Sequence, residues 1–454
     1  MTQHGMPTGG TPRVDELSPL ARALMARAGD DPGPLRLTQV RCKPGRGTVA
    51  RLRPERGPHP GEEAGAPVWL SVETTGRDGS VSGMAVHGFG DDSALPALRA
   101  AGAPEPQGEV WEALEEAARV RLDDPGRRLV AVDAVPVRYK PGSRCVLRYR
   151  LHTEGGEAVT VFGKLFAEPL QAVAVDAITR RLHAEQAAGG EPPVVPRPLG
   201  AVEGAGLALT AAGAEGDGFL GPLQSGIRVL LPRRHHGADG VPSRALVAAA
   251  EAIGRLHRSG VGLRGGLGVV RTPAQEARRC LDRAALLGRF ASALEPQIAA
   301  AAAGVAARLS AATCEATVPC HGGFKPSQLV YSAPDRVVLT DLDGICLADP
   351  ALDLGYFLAY LRPLSVWTDR PAVATWFAFA SACFLDAYAR SMQRAGAPPH
   401  LVESSLRRVP LYEAALLLKI AARRPQRLNA PRAAELSATL DDIHLCLSAT
   451  RRAA

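Results

Sequence analysis

The stretch Cys320-His321-Gly322-Gly323-Phe324-Lys325-Pro326-Ser327-Gln328-Leu329-Val330, answered by Val338-Leu339-Thr340-Asp341-Leu342-Asp343-Gly344, constrains this chain more tightly than any other. A polar loop runs into apolar residues, and the strand read over Arg336–Thr340 ends on a carboxylate. At that strand end the Asp341 carboxylate can meet a metal ion bridging phosphates, since hard cations take oxygen ligands. Asp343, two residues on, either shares the ion or faces solvent. The loop and strand form a hairpin set between segments of helical pattern.

At 454 residues the chain exceeds what one hydrophobic core serves, so two or three lobes are expected. Residues 1–34 read as a disordered tail with one short helix, Asp15 to Ala28, stopped by a Gly/Pro run. An internal repeat follows: Val40–Arg53 recurs as Val137–Arg150, each copy a strand, a Pro-Gly turn and a second strand. Apolar and basic residues roughly alternate, as a half-buried antiparallel hairpin requires. Duplication of a small β-subdomain and convergence of two basic hairpins both account for it. Boundaries are expected at 35–130 for a cap-like subdomain, 131–212 for a strand-rich lobe and 213–454 for a helical lobe. That order predicts an α+β fold with the chemistry at the junction of its halves.

Helices are expected from Leu170 to Gln186, from Ser243 as N-cap to a stop at Gly260, over Pro273 to Leu309, and from Asp353 onward. Leu207–Thr210 reads as the strand before a hinge. The net charge of +7 and pI near 9.1 suit anionic small ligands. No block of like charge is long enough to demand nucleic acid. The eight cysteines lack paired spacing, which points to reduced thiols in the cytoplasm and away from zinc. The Ala-rich run Ile298–Ala307 is too short to span a bilayer, so no membrane partner is expected.

A phosphoryl-transfer site must hold a triphosphate with one or two metals, neutralise charge and aim a hydroxyl. Lys164, inside the apolar strand Val159–Phe166, suits the α and β phosphates, because a buried ammonium needs an anion. A lysine snorkelling to the surface is the other reading. Asp176 or Glu185 on the next helix would orient it. Lys140, Gly142 and Ser143, in the turn of the second repeat, complete the expected nucleotide contacts. Asp341, with the Gln328 amide oxygen, is expected to hold Mg2+; ATP and GTP are not distinguished. Asp349 and Asp353 read as turn and N-cap residues, with Asp353 bracing the loop from below.

His321-Gly-Gly-Phe-Lys-Pro-Ser-Gln328, then Leu339-Thr-Asp341-Leu-Asp343, then Asp349-Pro-Ala-Leu-Asp353-Leu resembles the aminoglycoside phosphotransferase-like family of small-molecule kinases. That family runs His-Gly-Asp-x-x-x-x-Asn, a hydrophobic-Asp step, and Gly-Asp-Pro-x-x-Asp-Leu. Arg255-Leu-His257-Arg-Ser-Gly260 resembles the family's leucine-histidine helix, Lys164 its nucleotide lysine and Asp176 its helix carboxylate. The resemblance covers Val135 to the C-terminus; maltokinase-like relatives, with an added N-terminal subdomain, are the analogy for the rest. It implies a bilobal protein-kinase-like fold with an extra N-terminal β-containing subdomain, ATP or GTP with Mg2+, and a small-molecule hydroxyl acceptor. His321, Gly323, Lys325 and Asp343 fall at catalytic positions. Gly323 stands where the family has its catalytic Asp, and Gln328 where it has Asn. Two functions are consistent with this: a phosphotransferase with an altered base, or a pseudokinase acting as a nucleotide or metabolite sensor or as a protein-interaction module.

Overall fold

In the computed structural model, the residues described are 35–43, 47–54, 68–75, 80–190, 192–212, 241–260, 269–332, 336–362, 371–423 and 433–452. The helix read over Asp15 to Ala28 lies outside them. Contacts divide the chain into two compact units. The first holds the described residues up to Val173, with Leu199–Leu209. The second holds those of Ala174–Pro198, of Thr210–Ala422 and of the C-terminal stretch from Pro431.

The first unit carries two sheets. Strands β1 (Leu35–Lys43), β2 (Gly47–Pro54), β3 (Val68–Thr75) and β4 (Ser80–His87) form one sheet in chain order. Two helices, α1 (Leu98–Gly102) and α2 (Glu109–Leu122), lead to the second sheet. Its strands are β5 (Leu129–Lys140), β6 (Arg144–Thr153), β7 (Ala158–Phe166), β8 (Pro198–Val202) and β9 (Leu207–Ala211), in the order β5-β6-β7-β9-β8. The alternation in β6 sends Cys145, Leu147, Tyr149 and Leu151 into the core and leaves Arg148 and Arg150 outside.

The two repeat copies are hairpins of the same register near their turns. Lys43 pairs with Gly47, Cys42 with Thr48 and Arg41 with Val49. The equivalent pairs in the second copy are Lys140–Arg144, Tyr139–Cys145 and Arg138–Val146. Ala50 and Leu52 are buried at the positions that Leu147 and Tyr149 occupy in the second copy. They part at Val137, where a bulge between Pro136 and Arg138 shifts the second register. A proline has no N–H to give a ladder, and bulges are where sheets tolerate it.

Helix α3 (Pro169–Ala188) leaves the sheet. The second unit is helical: α4 (Val241–Arg258), α5 (Pro273–Phe290), α6 (Glu295–Ala311), α7 (Ala351–Leu361), α8 (Pro371–Arg394), α9 (Pro399–Arg423) and α10 (Ala433–Arg452). Short strands interrupt it: β10 (Val270–Arg271), β11 (Val318–Cys320), the hairpin β12 (Leu329–Ser332) with β13 (Arg336–Leu339), and β14 (Cys346–Ala348), with β14 between β10 and β11.

Three expectations on helix ends are corrected. Ser243 lies inside α4, which already includes Val241 and Pro242; proline is tolerated in a first turn, where its missing N–H has no intrahelical acceptor. The helical stretch Pro273 to Leu309 is two helices, because Pro296 cannot continue one and instead opens α6. Asp353 is inside α7, whose N-cap position is Pro350, while Asp349 Oδ1 accepts from the Ala351 N–H at 3.0 Å. Among the described residues no helix is long and apolar enough to cross a membrane.

Candidate active site

The loop His321–Gln328 is suspended from α7. Asp353 is fully buried, and its two oxygens accept the N–H groups of His321 at 2.5 Å and Gly322 at 2.9 Å. Its Oδ2 also meets His257 Nε2 at 3.3 Å, and His257 Nδ1 lies 3.0 Å from the Tyr388 hydroxyl. Burial alone would raise the Asp353 carboxyl, but the hydrogen bond and charge of His257, then His321, outweigh it and hold the group below the ordinary carboxylate range. Asp353 therefore braces the loop as an anion. The histidine of the leucine-histidine motif serves as part of that brace.

Gly322 closes the loop in a backbone conformation a side chain would forbid. Its φ is +71°, and a Cβ there would lie 2.0 Å from the Gly344 carbonyl oxygen. Its own carbonyl accepts from Arg271 Nη1 at 2.7 Å, and Arg271 is held by Glu276 Oε1 at 2.7 and 2.9 Å. Glu276 is buried; burial would raise its carboxyl, and Arg271 above all brings it below its usual range. Arg271, Glu276 and Tyr388 were not singled out from the sequence. Arg271 immediately precedes the capping box Thr272–Gln275, which is a visible signal, but no pattern marks Glu276 as buried.

His257, Cys320 and Asp353 lie close enough together to hold a metal ion. Their chemistry argues against one. Burial first, then Asp353, raises the Cys320 thiol well above its usual range, so it stays protonated and faces the carbonyls of Asp349 and Ala348. The Asp353 oxygens are spent on the loop.

On the other side of the loop, Asp341 follows β13 with φ +66° and ψ 47°, a left-handed conformation that aspartate tolerates better than most residues. Its Oδ2 accepts from Gln328 Nε2 at 2.6 Å. A carboxylate is the oxygen donor Mg2+ takes, so Asp341 fits that ion. Gln328 turns its amide nitrogen, not its oxygen, to Asp341, and would share an ion only after a half-turn of the amide. The Lys325 ammonium lies 5.3 Å from the Tyr360 ring centroid, and Asp343 sits in the short turn Leu342–Gly344. His321 is fully buried, its Nε2 2.9 Å from the Thr340 carbonyl oxygen. Gly323 follows with no side chain beside the Gln328 amide.

In the first unit, Lys164 lies on the face of β7 opposite buried Val161 and Leu165, its ammonium 5.3 Å from the Phe166 ring centroid. The turn Lys140–Ser143 is fixed by Asp92, a residue fifty positions upstream with no sequence signal. Asp92 Oδ2 accepts from the Gly142 N–H at 2.7 Å and the Tyr139 hydroxyl at 2.8 Å. The Ser143 N–H is bonded to the Lys140 carbonyl at 3.1 Å. Both turn amides are thus engaged, so a ligand at this turn would meet the Lys140 and Ser143 side chains.

In the second unit, Asp176 Oδ2 accepts from Arg180 at 2.7 Å, and its Oδ1 is buried with no hydrogen-bond partner. Glu185, the other acid considered, accepts from the Gly260 N–H at 2.5 Å, in the turn after α4.

No curated protein matches the chain. Among solved structures it is similar to a glucosamine kinase, 20% identical over 96% of this chain and 98% of that one, with a TM-score of 0.45. It is also similar to a choline/ethanolamine kinase family protein from Mesorhizobium loti, 15% identical over 75% and 98%, TM-score 0.42. A macrolide 2'-phosphotransferase from Brachybacterium faecium is 18% identical over 74% and 98%, TM-score 0.39. Residues 146–392, more than half of the chain and including the whole His321–Asp353 network, match the phosphotransferase enzyme family. The chain belongs to that family and has its kinase-like α+β fold.

Proposed function

We propose that this protein transfers the terminal phosphoryl group of ATP or GTP to a hydroxyl of a small molecule. The observation that carries the proposal is Asp341: a carboxylate in a left-handed conformation at a strand end, bonded to Gln328 of a loop that Asp353 braces. Phosphoryl transfer asks a protein mainly for positioning and charge. Mg2+, when bound with the nucleotide, neutralises phosphate charge, and Asp341 is the residue to hold it. Lys164 and Lys325 supply positive charge for the phosphates, and Lys140 and Ser143 add nucleotide contacts. Asp176 stays close to its Arg180 partner. Asp343 is the remaining carboxylate of the catalytic segment. The reaction belongs where nucleotide and reduced thiols are kept, in the cytoplasm.

Gly323 cannot accept a proton. A general base is worth roughly 10²–10⁴-fold, so turnover is expected to be slow by that measure. A second reading, nucleotide binding without transfer, is favoured by Gly323 together with the Gln328 amide hydrogen occupying the Asp341 oxygen. Both readings require the nucleotide. ATP with Mg2+ should raise the melting temperature, since a ligand at about 100 times its Kd adds about 2.7 kcal/mol. Asp341→Asn, which tolerates the same backbone conformation, should remove the Mg2+-dependent part. A flat profile with ATP and GTP, in Mg2+ and in Mn2+, would overturn the proposal.

A further inference from the structure

Two buried acceptors beside Gly323 have no hydrogen-bond partner: His321 Nδ1 and Gln328 Oε1. Their identities follow from their other atoms. His321 Nε2 faces the Thr340 carbonyl and so carries a hydrogen; in the tautomer with its hydrogen there, Nδ1 presents a lone pair. Gln328 donates from Nε2 to the Asp341 carboxylate, so Oε1 is the end turned away. His321 is fully buried and Gln328 is 7% exposed. Both reach one small space. A Cβ built on Gly323 would lie 3.7 Å from Gln328 Oε1, 3.8 Å from Gln328 Nε2 and 3.9 Å from His321 Nδ1. Those distances are about 1 Å beyond hydrogen-bond length.

We propose that the space over Gly323 is a water site, in which one water molecule donates its two hydrogens to His321 Nδ1 and Gln328 Oε1. Two acceptors facing one space call for a ligand with two hydrogens to give, and a buried water is kept where it satisfies such groups. A single hydroxyl would leave one of the two unpaired. The oxygen of the water then presents its own lone pairs where the family's aspartate presents a carboxylate. Resting on the phosphotransferase reading, this gives the water a second role: it accepts the hydrogen of the acceptor hydroxyl and so positions it. Gln328 becomes a residue of this water site in place of a metal ligand.

Gly323→Ala tests this cleanly. The added methyl meets only ordinary van der Waals contacts, and Gly323 has no positive φ, so the variant folds. The methyl occupies the site and expels the water. Glycine-to-alanine changes at compatible positions ordinarily raise stability; here the expected result is a melting temperature lower by roughly 2 °C or more. Gly323→Ser, whose hydroxyl reaches the same acceptors, should recover at least half of that loss. A high-resolution crystal structure of the wild type should show the ordered water, and the alanine variant should lack it. Where ATP turnover is measurable, Gly323→Ala should lower kcat at least tenfold with KM for ATP unchanged. A wild-type structure with the space empty, or an alanine variant as stable as the wild type with serine no better, would overturn the proposal. If the water and the alanine–serine order hold while ATP fails to bind, the water site stands and the phosphotransferase reading falls.

Discussion

Replacing Asp353 by asparagine isolates the brace beneath the catalytic loop. The carboxylate accepts three donors: the N–H groups of His321 and Gly322 and the ring of His257. Asparagine keeps the size but has one acceptor oxygen, and its amide hydrogens would face an N–H or the ring. At least one buried donor is left unpaired, at about 1–3 kcal/mol, and the anionic partner of a buried histidine is lost. Breaking a buried pair by removing one partner costs about 3–5 kcal/mol. Near 2–4 °C per kcal/mol for a unit of this size, the melting temperature should fall by roughly 6–20 °C. Urea denaturation followed by tryptophan fluorescence measures the loss, and ATP binding by the folded fraction reports whether the loop still assembles. A loss below about 1 kcal/mol would refute the reasoning, because it would mean that Asp353 does not hold the loop as a buried anion.

The same carboxylate sets a pH signature. Its folded pKa is depressed, so its contribution is present above the ordinary carboxylate value near 4 and disappears as pH falls through the lower folded value. The stability gap between wild type and Asp353→Asn should therefore be constant from about pH 5 to 8 and narrow below about pH 4. A gap that closed between pH 7 and 6 would contradict this. Gly322→Ala places a methyl 2.0 Å from the Gly344 carbonyl at positive φ, and should leave little folded second unit by circular dichroism. Near-native melting would show that the loop is not closed as described.

Much of the layout was legible because it rests on short-range pattern. Alternating apolar and basic residues located both hairpins, and the strand-to-carboxylate step located Asp341. The helix limits were less legible where the pattern was uniform: the Ala-rich segment after Pro296 has only a weak period to mark where a new helix begins. Contacts that hold the candidate site were hidden where they depend on distance along the chain. Asp92 fixes a turn fifty residues later, and Glu276 reaches the loop only through Arg271. The Gln328 reading was limited for another reason. Sequence states that an amide is present, but only the hydrogen-bond network decides which end faces Asp341.

Acceptor-dependent ADP release is the most direct measurement of the central claim. Wild-type protein with Mg2+ and ATP is followed by 31P NMR with a panel of sugars, amino sugars and aminoglycosides. At least one acceptor should yield a phosphate monoester together with ADP, at a rate above hydrolysis by water, and Lys164→Ala and Asp341→Asn should each abolish it. Intact nucleotide binding with no phosphate ester from any acceptor would contradict the transferase and leave the nucleotide-binding reading in its place.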